Sequence, residues 1–329
     1  MSQRSGPFDC VAIEVRAIGS VTLLVEVVLN ATLTDTMKVD RVTFEGFQGL
    51  KLVADVRGES DAWPVLFLHG GGQTRHSWGK TAEVVASHGW RSIALDLRGH
   101  GESEWSPGGD YSFTANSADC IAVADQLGKP PVLVGASLGG IAALLAEGTS
   151  DREVSIGLVL VDIAPKTNPE GVDRIRNFMM SGAGGFDSLE DAAAAIAAFT
   201  PQRVRKFNPE GLKKVLRERD NRWYWHWDPR VIEGGRTEVL AQRYAGLLEA
   251  ALQNIHVPTL LVRGQLSDVV TLEGVSDIEN KLPDITVVEV AGAAHMIAGD
   301  QNDAFTQAVV AFLDDRIHSN IKYSHHCRL

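Results

Sequence analysis

From about residue 40 onward, short apolar runs alternate with longer amphipathic stretches. The runs are Pro64–Leu68, Ser92–Leu97, Val132–Val134, Ile156–Ile163, Pro258–Arg263 and Ile285–Val290. Each has the length and the β-branched or aliphatic content of a strand buried on both faces. Between them, Trp78–Ser87, residues 113–127, Ile141–Glu147, Thr237–Leu252 and Asn302–Arg316 have helical composition or spacing. Strands alternating with helices in this way predict an α/β domain, its sheet mostly parallel and covered by helices on both faces. Ahead of the first apolar run, Val39–Phe44 alternates like a half-buried strand, and Leu50–Val56, after Gly46 and Gly49, reads as its hairpin mate.

Two stretches fall outside that rhythm. Residues 1–36 have no partner in the pattern and are expected to be an extension, so the ordered domain should begin near Met37. The competing expectation is that strand-prone Val21–Leu29 adds a strand to the sheet or to a second subunit, which would make a homodimer. Residues 165–235 break the alternation with Pro165, Pro169, Gly182, Gly184 and Gly185, and divide the domain into 37–164 and 236–316, followed by a tail at 317–329. Within the break, Trp223, Trp225 and Trp227 would share one face of an extended segment.

Composition removes several classes of function. The 329 residues carry 44% hydrophobic and 22% charged side chains and a formal net charge of −11 at pH 7. This balance repels phosphate backbones and argues against nucleic acid as a partner. Cys10, Cys120 and Cys327 are odd in number and far apart, unlike a disulfide framework or a metal-ligand cluster, and they fit a reducing, cytoplasmic setting. No metal or other cofactor is implied. The longest apolar candidate, Ile18–Leu29, is interrupted by Glu26, too short to span a bilayer, and a poor signal peptide.

The candidate chemistry sits where the Val132–Val134 strand turns into a helix. Ser137 lies at that turn between Gly135 and Gly139, which lack the Cβ atoms that would clash across so sharp a bend. The following helix presents unpaired N–H groups and its positive dipole end, both suited to a developing oxyanion. A second glycine stretch, His69-Gly70-Gly71-Gly72, ends the Pro64–Leu68 strand. Its backbone, Gly71 in particular, is the candidate to complete an oxyanion hole with the N–H of Leu138.

Taken in order, His69-Gly70-Gly71-Gly72, Asp96-Leu97-Arg98-Gly99-His100-Gly101-Glu102-Ser103 and Gly135-Ala136-Ser137-Leu138-Gly139-Gly140 resemble the α/β-hydrolase family from about residue 40 to residue 315. The resemblance implies an eight-stranded sheet, a Ser, acid, His order along the chain, and a helical lid inserted at 165–235. It assigns the acid to Asp268 and the base to His295, with Asp162 the competing acid. Asp96 and His100 are expected to build a turn. A serine hydroxyl needs an imidazole to take its proton and a carboxylate to fix the ring, so Ser137, His295 and Asp268 together would form an acyl-enzyme. The expected reaction is hydrolysis of a carboxylic ester or lactone of a small to medium apolar substrate. Carbon–carbon bond hydrolysis, perhydrolysis without a cofactor, and a ligand receptor on the same fold are the alternatives. Trp78 and Trp225 are the candidate substrate contacts, with packing of the insertion on the core as the competing role for the insertion's tryptophans.

Overall fold

The structure is a computed structural model of the chain and describes residues 13–17, 21–25, 37–200, 209–233, 238–295 and 302–321. Residues 26–36, Cys10, Cys327 and the tail beyond residue 321, all of which figured in the expectations above, lie outside the described residues.

The expected alternation folds into one large sheet. In chain order its strands are β1 (Ile13–Ala17), β2 (Val21–Val25), β3 (Asp40–Glu45), β4 (Lys51–Arg57), β5 (Pro64–Leu68), β6 (Arg91–Leu95), β7 (Val132–Ala136), β8 (Gly157–Val161), β11 (Thr259–Gly264) and β12 (Thr286–Val290). A separate two-stranded sheet pairs β9 (Leu216–Arg219) with β10 (Arg222–Trp225). The spatial order of the large sheet is β2-β1-β12-β11-β8-β7-β5-β6-β4-β3. Six neighbouring strands from β12 to β6 run parallel, and the β3/β4 hairpin closes that edge antiparallel.

These eight strands are the expected sheet. The other edge differs from expectation. Ile13–Ala17 pairs antiparallel with β12, Val15 opposite Val288, and Val21–Val25 pairs back on it, so the segment read as an extension lengthens the sheet to ten strands. Without a neighbour, the edge of β12 would present a row of unpaired backbone groups, and β1 pairs with them.

Side-chain alternation along the parallel strands divides the interior in two. Leu66, Leu68, Leu133, Leu158, Leu160 and Leu261 face one core, completed by α2 (Phe113–Asp125), α3 (Leu138–Gly148), α7 (Glu238–Leu252) and α8 (Leu272–Lys281). Val65, Phe67, Val134, Val159, Val161 and Val262 face the other, completed by α1 (Gly79–Ser87) and α9 (Asn302–Phe312). With period two and helices on both sides, the central strands β5, β7 and β8 are buried on both faces.

Between β8 and α7 the chain leaves the sheet. The insertion comprises α4 (Pro169–Ser181), α5 (Leu189–Phe199), the β9/β10 hairpin and the single turn α6 (Arg230–Glu233). It carries a third, smaller core of Leu189, Ala192, Ile196, Leu212 and Leu216. Asn168 and Ser188 cap α4 and α5, accepting the amides of Glu170 and Asp191. Among the described residues, no helix is long and apolar enough to cross a membrane.

Candidate active site

The centre of the site is Ser137, between the end of β7 and the start of α3, with φ 47° and ψ −114°. A non-glycine residue in that region is strained and persists only where its surroundings fix it. Here the fixing is visible. The Ser137 N–H donates to Val161 O at 3.1 Å on the neighbouring strand, and the Gly139 N–H donates to His69 O at 3.1 Å. A Cβ on Gly135 would lie 2.4 Å from Gly139 O, and one on Gly139 would lie 2.2 Å from Leu68 O. Both glycines are therefore required by the closeness of the turn.

The glycine loop after β5 lies against this turn, since a Cβ on Gly70 would come within 3.5 Å of Ser137 Cβ. Most of its amides are engaged. Gly70 N–H donates to Gln73 Oε1 at 3.0 Å and Gly72 N–H to His100 Nε2 at 3.2 Å. The N–H groups of Gly71 and Leu138 have no protein acceptor among the described residues. These are the two donors singled out from the sequence.

His295 and the two aspartates separate cleanly. Asp162 directly follows the β8 residue that accepts the Ser137 amide, and its side chain is fully buried. Its carboxylate takes the Gly264 N–H at 3.2 Å, the Ser267 hydroxyl at 2.6 Å and His295 Nδ1 at 2.6 Å. Asp268 makes no such bond to His295. It accepts Arg174 Nε of α4 at 2.7 Å, with Asp268 36% and Arg174 42% exposed. Burial pushes the Asp268 carboxyl up, but the bond and charge of Arg174 outweigh it and leave the group below its ordinary value. The geometry thus gives His295 the competing acid, Asp162, and gives Asp268 a role joining the insertion to the core.

The reason is local. Asp162 also has positive φ, at 50°, which turns its side chain out of the strand line, and its own amide is held by Val262 O at 2.8 Å. The strand-final aspartate of Val161-Asp162-Ile163 was the sequence signal, and Ser267, which bridges the two aspartate loops, carried none. The Ser137 hydroxyl is not hydrogen-bonded to His295 in this structure; such contacts commonly tighten only around substrate.

The remaining candidates divide. Trp78 is fully buried between Phe67 and Phe305, with ring centroids at 5.3 and 5.8 Å, and so belongs to the α1/α9 core, where a large ring is better buried than exposed to ligand. Trp225 lies inside the insertion, stacked on Trp227 at 4.7 Å and edge-on to Phe178 and Phe186. Its position matches the packing role. Over the glycine loop the insertion instead presents Met179 and Trp227, each within 3.4 Å of where a Cβ on Gly72 would be. Met179 did not stand out in the sequence, being an ordinary core residue by type, whereas Trp227 is one of the three alternating tryptophans noted there. Three arginines of the insertion are held in ion pairs, Arg174 by Asp268, Arg222 by Asp187 and Arg230 by Asp228.

His69 and His100 hold the glycine loop from beneath. His69 Nε2 accepts Leu97 N–H at 3.0 Å and its Nδ1 meets Gly70 O at 2.8 Å; burial lowers this imidazole to about 4. His100 is likewise lowered to about 3, by burial first and then by the neighbouring His69. Both rings are therefore neutral at ordinary pH. Below them Arg75, 1% exposed, is bound by Asp55, Asp96 and Glu102 and ties the glycine loop's far end to the β6 loop. Among the described residues, no group of three or more His, Cys, Asp or Glu is arranged to hold a metal ion.

Comparison with known proteins identifies the family to which this fold belongs. Residues 65–308 match the sequence model of the alpha/beta hydrolase family. The chain is 30% identical over 274 residues to the esterase Rv0045c of Mycobacterium tuberculosis, covering 80% of this chain and 87% of that protein. It is 29% identical over 266 residues to the sn-1-specific diacylglycerol lipase ABHD11 of Mus musculus, covering 78% and 82%. The crystal structure of E-2-(acetamidomethylene)succinate hydrolase superimposes with a TM-score of 0.72 over 84% of this chain and 100% of its own, at 21% identity, a likeness of fold. The chain belongs to the alpha/beta hydrolase family and is a hydrolase.

Proposed function

We propose that the protein hydrolyses carboxylic esters of small to medium apolar substrates through an acyl-enzyme on Ser137. The observation that carries the reading is Ser137 itself, held at φ 47° between two sterically obligatory glycines, one strand away from a buried Asp162–His295 pair. The esterase and lipase names of relatives near 30% identity support esters over other acyl compounds.

In this mechanism Ser137 Oγ attacks the ester carbonyl while its proton passes to His295 Nε2. Asp162 keeps the Nδ1–H tautomer and stabilises the imidazolium. The tetrahedral oxyanion receives the N–H groups of Gly71 and Leu138 and the dipole of α3. His295 then returns the proton to the departing alcohol, leaving the acyl group on Ser137. A water, deprotonated by His295, attacks that acyl carbon, and collapse releases the acid and restores the serine. The insertion serves as a lid, with Met179 and Trp227 as apolar wall over the oxyanion loop.

The test combines labelling with turnover. A fluorophosphonate should add one label per chain, at Ser137, and a panel of acyl esters, lactones and vinylogous diketones should show ester turnover that Ser137→Ala removes. Undiminished labelling of Ser137→Ala would sink the assignment.

A further inference from the structure

Two amides of the glycine loop are held by side chains, that of Gly70 by Gln73 and that of Gly72 by His100, a residue the sequence assigned only to a turn. His100 is 1% exposed, and its two ring nitrogens have opposite duties. Nδ1 lies 3.0 Å from Arg98 O, which can only accept, and Nε2 lies 3.2 Å from the Gly72 N–H, which can only donate. Those partners fix the neutral Nδ1–H tautomer. The ring cannot turn away, because His69, His226 and Trp227 surround it at centroid distances of 5.1, 6.3 and 6.5 Å.

We propose that His100 is a positioning residue for the oxyanion hole: by accepting the Gly72 amide it sets the loop so that the preceding amide, that of Gly71, is presented to the oxyanion. The inference rests on the ester-hydrolase reading above. Gly70 and Gly72 are tied down on either side of Gly71, by Gln73 and by His100, so the peptide between them has little freedom. A half-buried amide deprived of its acceptor would turn to find another, in protein or water, and a shift of the loop by a fraction of an ångström weakens a preorganised donor. The insertion shares in the arrangement. His226 Nδ1 accepts the Gly101 N–H at 2.5 Å, Arg217 binds Gly101 O, and Asp228 N–H donates to Gly99 O at 2.9 Å, so the loop bearing His100 is clamped from above.

The experiment compares His100→Phe, which keeps a ring but loses the acceptor, with His100→Gln, whose Oε1 can reach the Nε2 position. Turnover of p-nitrophenyl butyrate is expressed per active site titrated with fluorophosphonate, and inhibition by a trifluoromethyl ketone analogue reports oxyanion binding. His100→Phe should lower kcat per titrated site about tenfold to hundredfold, with KM within about threefold and ketone affinity weakened in parallel. His100→Gln should recover most of that loss. Retention of kcat within about twofold in the Phe variant, or a Gln variant no better than Phe, overturns the proposal. If the Phe variant fails to fold, long-range nitrogen NMR of the wild type decides: an unprotonated Nε2 across pH 5–8 is expected, and an Nε2–H form overturns it. Failure of the wild type to label at Ser137 or to turn over any ester overturns the functional reading itself and is recognised by that result.

Discussion

Strands β8 and β11 lie side by side in parallel register, and each is followed by an aspartate close to the site, yet the two carboxylates live under different physics. Asp162 is dry and receives three hydrogen bonds, one of them from His295. Asp268 is partly in water and its charge is met by Arg174 of the insertion. A buried carboxylate with fixed donors can hold one imidazole tautomer and stabilise its cation, whereas an exposed pair is screened and contributes about 0–1 kcal/mol. Position at a strand end makes an aspartate a candidate; the donors around it decide what it does.

The largest effect expected sharpens this comparison by coupling. His295→Ala should lower kcat by about four orders of magnitude or more. Adding Asp162→Asn should cost little further, because the two act as one unit, while adding Asp268→Asn should contribute its own small effect independently. A double variant of His295 and Asp162 with losses that multiply would break the pairing.

Acid stability probes the buried side of the site. His69 and His100 sit at about 4 and about 3, and His226 well below its ordinary value, all because burial disfavours the charged ring. The unfolded chain therefore binds more protons than the folded one below about pH 6.5. Stability contributed by these neutral rings is present above that pH and lost as pH falls toward the folded values, roughly 1.4 kcal/mol per pH unit for each ring fully displaced. Melting temperature should fall by several degrees between pH 7 and pH 5, and less steeply in His226→Phe; parallel slopes would contradict the account.

On the exposed side, Arg174→Gln should change KM by a few-fold, leave kcat within about threefold, and remove whatever dependence of KM on salt the wild type shows. Ester kinetics at low and high ionic strength measure this. A collapse of kcat in Arg174→Gln would show that Asp268 serves His295 after all.

The smallest effect concerns the far edge of the sheet. A chain starting at Met37 uncovers the β12 edge that β1 pairs, so a loss of a few degrees in melting temperature is expected with ester turnover retained. Unchanged melting would return these strands to the status of an extension, and a change in oligomer size would place the edge at a subunit interface.

Much of this was legible in the sequence because the signals are periodic or steric. The apolar runs became strands of a parallel sheet, their alternation became two cores, and the glycines flanking Ser137 are explained by contacts below 2.5 Å. What was not legible depends on partners distant in sequence. The choice between Asp162 and Asp268 rests on Gly264, Ser267 and Arg174, which no local pattern ranks. The burial of Trp78 depends on Phe305, more than two hundred residues later. The place of Ile13–Ala17 was hidden because its pairing partner is the last strand of the sheet.

The central claim is that His295 works with Asp162 on behalf of Ser137. Its most direct test is kcat for a p-nitrophenyl ester in Asp162→Asn and Asp268→Asn, measured side by side with melting temperature and titrated active sites. The account predicts a fall of about three to four orders of magnitude for Asp162→Asn and less than about tenfold for Asp268→Asn, with both proteins folded. The reverse ranking at unchanged melting temperature would contradict it.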